Sequence, residues 1–336
     1  MLSLDLVRAA AETLRGRVQK TPVEYSSVLS KVLAVPVWLK LEQLQITGSF
    51  KYRGALFAMS QLKAEGVEHI STCSAGNHGW AVARAAHELG MSATIYVPSG
   101  VDQTKYRAMV DLEADVVVSE SVGYDDTERW ALEETERRQL PFLSAYDDER
   151  IMAGNGGTVA LEVLEQVPGA KTFVMPAGGG GHSAGFAFTV SRLQESYQFV
   201  LCQHVQAPAF KLSMEKGYAV TELPGIETLA SGIEGGFGVK TFEILRHLKP
   251  HVALVSEDEI REAMIWMYDH HQHIIEGSSA VAVAACLKND LSVASNNAEA
   301  TNTREATDSR SLDGPVVVFI SGRNVSLDTL RDVFCD

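Results

Sequence analysis

The sequence predicts an α/β protein built on parallel sheets, and three observations carry that expectation. Short β-branched runs recur along the chain: VPVWLKLE (35–42), HISTCS (69–74), ATIYVP (93–98), DVVVSE (115–120), TFVMPA (172–177), FVLCQHV (199–205) and PVVVFIS (315–321). Alanine-rich stretches with helical character, such as GWAVARAAHELG (79–90), lie between them. Two Gly-rich segments, near 153–157 and 178–181, interrupt the alternation. Strands alternating with helices imply parallel sheets with both faces covered. Such sheets bind ligands at the carboxyl ends of their strands.

The chain has 336 residues, of which 46% are hydrophobic, enough for a large core and about two domains. No Gly/Ser- or Pro-rich linker separates independent halves, so two lobes would share the chain discontinuously. Residues 288–314 are polar and aperiodic, and read as a long surface loop. With 43 acidic and 29 basic residues the net charge is −14, which argues against nucleic acid or a membrane surface as partner. Cys73, Cys202, Cys286 and Cys335 show no CxxC spacing, as expected in a reducing, cytoplasmic setting. The first residues form a charged amphipathic pattern unlike a signal peptide, and no apolar run is long enough for a membrane span.

Four segments carry candidate chemistry. In KLEQLQITGSFKYRGA (40–55), Gly48 and Ser49 close a strand-to-helix turn, with Ser49 as expected N-cap. Lys51 then falls in the first helical turn, where the positive end of the dipole disfavours its ammonium form. A more nucleophilic amine of this kind suits Schiff-base formation; a solvated lysine near a helix start is the alternative. In CSAGNHGWAVA (73–83), Ser74, Asn77 and the backbone N–H groups of 76–79 form a nest for a carboxylate, or else a plain Asx turn. His78 alone reads equally as a packed histidine.

In VMPAGGGGHSAGFA (174–187), four glycines between strand and helix can fold closely round a phosphate. A dinucleotide fingerprint matches only through Gly179, Gly181 and Ala184, and no Walker lysine follows. In FISGRNVSLDTL (319–330), Ser321 ends a strand and can reach a ring nitrogen, or serve a helix N-cap. The histidines of HHQH (270–273) lack a nearby ligand partner and read as an exposed helix end. Asp147, Asp148 and Glu149 read as a solvated turn, and neither GxSxG nor HExxH occurs.

Taken in order, these segments resemble the serine/threonine dehydratase family of fold-type-II pyridoxal-phosphate (PLP) enzymes, which also includes serine racemase and hydroxyaspartate dehydratases. The resemblance runs from Thr21–Pro22 to SGRN at 321–324 and is most specific in GSFKYRGA and SAGNHG. It implies two parallel-sheet lobes of tryptophan synthase β-like architecture, a large PLP-binding domain of 1–68 plus 149–336 and a small domain of 69–148. It implies that Lys51 holds the cofactor as a Schiff base and moves the substrate's Cα proton. Phe50 would lie beside the pyridine ring and Asn77 would bond its 3′-oxygen. Ser74, Gly76, Asn77 and His78 would take the substrate carboxylate, and Gly178, Gly179, Gly180 and Gly181 the cofactor phosphate. Ser321 would contact the ring nitrogen, with Glu276 near the ring. A serine there favours β-elimination over a long-lived carbanion. The implied activity is dehydration and deamination of a small 3-hydroxy amino acid (serine, threonine or 3-hydroxyaspartate type) to a 2-oxo acid and ammonia, in a homodimer.

Several positions depart from the family pattern. Ala75 stands where racemases carry a serine base, so racemisation is expected to be weak or absent. AGNGGT (153–158) replaces Ala-Gly-Gln-Gly-Thr, His182 replaces an aliphatic residue, and Arg323 replaces a glycine. His204 stands where some relatives place a cation-binding glutamate, so no metal is assumed. The chain ends soon after Ser321, so the C-terminal regulatory domain of biosynthetic threonine deaminases and allosteric control by isoleucine are not expected. A cysteine-synthase-like β-replacement enzyme is the nearest alternative, though His78 argues against it. A catalytically silent PLP-binding protein is the other.

Overall fold

The computed structural model describes residues 1–101, 103–121, 123–291 and 312–335. Most of the expected 288–314 loop therefore lies outside the described residues. Nine strands occur among them: β1 (Val23–Tyr25), β2 (Val37–Leu41), β3 (His69–Cys73), β4 (Ser92–Val97), β5 (Asp115–Val118), β6 (Thr172–Pro176), β7 (Gln198–His204), β8 (His251–Val255) and β9 (Val316–Ile320). They form a six-stranded sheet in the order β1-β2-β9-β6-β7-β8 and a three-stranded sheet β3-β4-β5. Every pairing is parallel except β1 with β2.

The seven runs singled out from sequence all become strands. The other two, β1 and β8, are the edges of the large sheet. Edge strands are short and half-exposed, so neither shows the continuous apolar run of a strand buried on both faces.

Alternation along the inner strands divides the core in two. Phe173, Met175, Phe199, Leu201, Val317 and Phe319 pack into one cluster. Their neighbours Val174, Val200, Cys202, Val316, Val318 and Ile320 pack into another, on the opposite face. Residues of the helices Lys51–Ala64 and Gly181–Leu193 join the first, and residues of Gly277–Leu287 the second.

Three elements meet almost backbone to backbone. Ala153–Gly157 winds as a π-helical turn within the Gly-rich segment AGNGGT (153–158). A Cβ on Gly154 would stand 2.6 Å from the Cα of Gly54, and one on Gly156 would stand 2.1 Å from the His182 carbonyl oxygen. The turn is thus wedged between the helices Lys51–Ala64 and Gly181–Leu193.

A buried ionic network fixes the start of the first of these helices. Arg53 is fully buried, and its guanidinium donates to both Glu42 carboxylate oxygens at 2.8 and 2.9 Å. It also donates to Glu162 at 2.6 and 3.0 Å and to the Gln19 carbonyl at 3.0 Å. Lys40, equally buried, donates to Glu162, Gln166 and the Thr21 carbonyl. Burial alone would raise the Glu42 carboxyl, but Arg53 and Lys40 outweigh it and hold the group below its ordinary 4.5. A depressed carboxyl contributes stability above its unfolded value and loses it as pH falls through its folded value.

Replacing Arg53 with Met should therefore cost about 3–5 kcal/mol, because Glu42 is left buried and uncompensated. Urea unfolding at neutral pH reads this directly, and a change under ~1 kcal/mol would show that the network is dispensable.

Candidate active site

The carboxyl ends of β2, β9 and β6 lie side by side, and the segments leaving them converge on one cavity of about 820 Å³. Lys51 follows β2, Ser321 follows β9, and Gly178–Gly181 follow β6. Ser74–His78, leaving β3 of the small sheet, supply the facing wall. Glu276 comes from the segment before Gly277–Leu287. All the site residues singled out from sequence line this cavity: Phe50 and Lys51, Ser74 and Gly76 to His78, Gly178 to Gly181, Glu276 and Ser321.

Lys51 is the first residue of the helix Lys51–Ala64. Its amine donates to the Ala145 carbonyl at 3.0 Å and lies 5.3 Å from the centre of the Phe50 ring. Burial lowers its pKa to about 8, against the opposing pull of Glu276. Desolvation, rather than the helix dipole invoked from sequence, is thus the main cause. The expected N-cap is also displaced: Phe50 occupies that position, while the Ser49 hydroxyl is buried without a hydrogen-bond partner among the described residues. The turn is held by backbone instead. Phe50 N–H donates to the Ser321 carbonyl at 3.2 Å, and Arg323 N–H to the Gly48 carbonyl at 3.0 Å.

Behind Phe50 lies His182, stacked on its ring at 4.3 Å between centroids and 16° between planes. Burial, reinforced by the charges of Lys51 and Arg53 and opposed by Glu42, lowers its pKa to about 3. The departure from an aliphatic residue therefore gives a neutral, flat backing for Phe50 and no cation. His78 is also neutral: burial and the Lys51 charge bring it to about 3, against a weaker contrary effect of the Leu143 carbonyl. Neither of its ring nitrogens has a well-formed hydrogen bond among the described residues.

Beside the Lys51 turn, Ser321 shares a 2.9 Å hydroxyl contact with Ser279. Ser279 also donates to the Gly322 carbonyl at 2.8 Å and accepts the Gly322 N–H at 2.7 Å. The glycine turn enters the helix Gly181–Leu193 through Gly180 at φ +91°, a conformation that favours glycine. Its fold leaves no room for side chains, since a Cβ on Gly179 would meet the Tyr146 ring at 2.3 Å.

Ser279 and Tyr146 were not singled out from sequence. Ser279 stands three residues after Glu276, but EGSSA alone does not say which serine faces Ser321. Tyr146 belongs to no motif, and its place depends on how 141–147 crosses the cavity. Two other readings change. Asp147 and Asp148 are caps rather than a solvated turn: Asp147 accepts the N–H groups of Lys240 and Thr241, and Asp148 those of Arg150 and Ile151. The HHQH run is not simply exposed, because His271 and His273 both bond Glu24, at 2.5 and 2.9 Å. Among the described residues, no cluster of three or more His, Cys, Asp or Glu is arranged to hold a metal. No described helix is long and apolar enough to cross a membrane.

A family model described as pyridoxal-phosphate dependent enzyme matches residues 14–299. An L-threonine ammonia-lyase of Geobacter sulfurreducens is 34% identical over 335 residues, 99% of this chain and 78% of that protein. The catabolic L-threonine dehydratase TdcB of Escherichia coli (strain K12) is 33% identical over 292 residues, 86% of this chain and 88% of that protein. This chain belongs to the serine/threonine dehydratase family of PLP-dependent enzymes. The serine racemase of Dictyostelium discoideum shares its fold, with a TM-score of 0.84 at 28% identity over 97% of this chain and 99% of that one.

PLP is the cofactor of this family, and the residues present fit it. The cavity offers a buried amine of lowered pKa for the aldehyde. It offers a glycine turn at a helix start for the phosphate, and the Ser321 hydroxyl at the end of β9 for the ring nitrogen.

Only the neutral amine attacks an aldehyde, and for Lys51 that form predominates above about 8. Covalent capture of added PLP by the cofactor-free protein should therefore rise with pH through about 8. A midpoint near the ordinary lysine value of 10.5 would contradict the burial argument. Stopped-flow absorbance across a pH series makes the measurement.

Proposed function

We propose that this enzyme dehydrates and deaminates a small 3-hydroxy amino acid of the serine, threonine or 3-hydroxyaspartate type, yielding a 2-oxo acid and ammonia. One observation carries the reading: the buried, lowered Lys51 amine shares a cavity with the Ser74–His78 loop, the glycine turn and Ser321. The activities named for the threonine ammonia-lyase and threonine dehydratase relatives point the same way.

In this reading Lys51 holds the cofactor. Gly178 to Gly181 cradle its phosphate through backbone N–H groups at the start of the helix. Phe50, backed by His182, flanks the ring, Glu276 lies near it, and Asn77 serves its 3′-oxygen. Ser321, whose hydroxyl rests against Ser279, would meet the ring nitrogen as a neutral partner by turning its proton from Ser279 to that nitrogen. Bound there, the cofactor supplies an electron sink for the pair released when the Cα–H bond breaks.

The substrate carboxylate sits on Ser74, Gly76, Asn77 and His78. At the start of the helix Asn77–Leu89, backbone N–H groups lack intrahelical partners and are free to donate. The free Lys51 amine takes the Cα proton, and the β-hydroxyl leaves with a proton as water. Water then enters at the α-carbon as ammonia is released, so the net change is loss of ammonia. Ala75, which lines the cavity, has no group to return a proton from the opposite face, which disfavours racemisation.

We further propose that the lobes 1–68 with 149–336 and 69–148 close over the substrate, and that the enzyme works as a cytoplasmic homodimer. Strands β3 to β5 all fall within 69–148, which supports that boundary.

Substituting Lys51 with Ala should abolish the covalently held cofactor, read as loss of the mass adduct after borohydride reduction, together with turnover. An adduct surviving on another residue would refute the assignment of Lys51. A panel of L- and D-serine, L- and D-threonine and 3-hydroxyaspartate isomers, scored for both 2-oxo acid and ammonia, tests the reaction. Stoichiometric release of the two from at least one member is expected. Inversion of configuration without ammonia, or release of neither product, would replace the elimination reading.

A further inference from the structure

Asn324 lies where three cavity segments meet. Its side-chain nitrogen donates to the Thr47 carbonyl at 2.8 Å and to Asn77 Oδ1 at 2.6 Å. Its backbone N–H donates to Glu276 at 3.2 Å. Asn77 in turn directs its own side-chain nitrogen at the same carboxylate, at 2.8 and 3.0 Å. Room for Asn324 exists because residue 48 is glycine, at φ +71°: a Cβ there would stand 2.4 Å from Asn324 Oδ1.

The polarity of this chain of bonds follows from its two ends. A side-chain amide can be turned end for end, and the hydrogen-bond network decides which way it points. The Thr47 carbonyl can only accept, so Asn324 must present nitrogen to it. That same nitrogen then faces Asn77, which must answer with oxygen. The Asn77 nitrogen is left facing Glu276, whose carboxylate accepts. Reversing Asn77 would set nitrogen against nitrogen at one end and oxygen against carboxylate at the other.

We propose that Asn324 is a positioning residue that fixes the Asn77 amide, keeping its nitrogen, rather than its oxygen, on the Glu276 side of the cavity. The proposal rests on the reading of the site as a PLP lyase, in which Asn77 serves the cofactor's 3′-oxygen. Asn324 acts on that oxygen only through Asn77. Its removal takes away the donor to Asn77 Oδ1, so the amide is held by Glu276 alone and moves more freely, while no group is deleted from those that touch the reacting atoms.

A double-mutant cycle on the holoenzyme tests this, with N324A, N77A and the double variant. Three readouts are taken: the absorbance bands of the bound cofactor, kcat, and KM. N324A should shift the bands and lower kcat about tenfold, the effect of one lost hydrogen bond. On the N77A background the same change should alter the bands and kcat by no more than about twofold, because its route of action is already gone. Additive losses, or unchanged bands in N324A, would overturn the proposal.

N324D keeps the size and replaces a donor with an acceptor, so it should exceed N324A in both effects. Equality with the unmodified enzyme would overturn it equally. Exchange of the Asn77 side-chain amide protons in the cofactor-free protein, followed by NMR, should quicken about tenfold in N324A. That last measurement needs neither cofactor nor turnover. It judges the role of Asn324 even where absence of an adduct on Lys51 in the unmodified enzyme defeats the functional reading.

Discussion

The guanidinium of Arg53, sealed from water two residues after Lys51, is the constraint on which the site depends. A buried cation forces its surroundings to supply acceptors, and Glu42, Glu162 and the Gln19 carbonyl do so from three separate segments. Glu42 follows β2 directly, so the ion pair ties the sheet to the helix start on either side of the turn. The position of the Lys51 backbone is thereby settled before any ligand arrives. What the network does for the helix, the Ser49–Gly322 bridge and the Phe50–Ser321 bond do for the turn.

Much of this was legible in the sequence, for physical reasons that differ between elements. The inner strands show as unbroken β-branched runs because they are buried on both faces. The cavity-lining motifs show because each combines a strand end with residues of special backbone or side-chain capacity: glycines at 178–181, Gly48 before Lys51, and small residues at 74–76. What stayed hidden depends on distant segments meeting. Nothing local to HHQH reveals that Glu24, from the other end of the chain, lies against His271 and His273. Asp147 and Asp148 look solvated in isolation, yet one caps a helix some ninety residues away. The basicity of Lys51 illustrates the same limit. Its position at a helix start is a local property, whereas the burial that lowers its pKa belongs to the whole fold.

The cavity divides its labour between two kinds of wall. One is made of backbone and rigid rings: the glycine turn pressed against Tyr146, and Phe50 stacked on His182. These surfaces are determined by packing and offer little freedom. The other wall carries Lys105, Tyr124, Ser231 and Glu234, from segments outside the sequence motifs. The groups that would hold the cofactor and the remaining lining side chains therefore reside on different elements.

The contacts among Gly54, Gly154, Gly156 and Gly185 have a consequence for protein engineering. At each of these positions even a methyl group would collide with a neighbouring backbone or with Asn155, so no conservative substitution exists there. None of the four lines the cavity, but a combinatorial library extended from the cavity into this joint would spend most of its members on chains that cannot close their core. One confined to Tyr124, Ser231 and Glu234 leaves that joint untouched, and explores new side-chain preferences on a scaffold that still assembles.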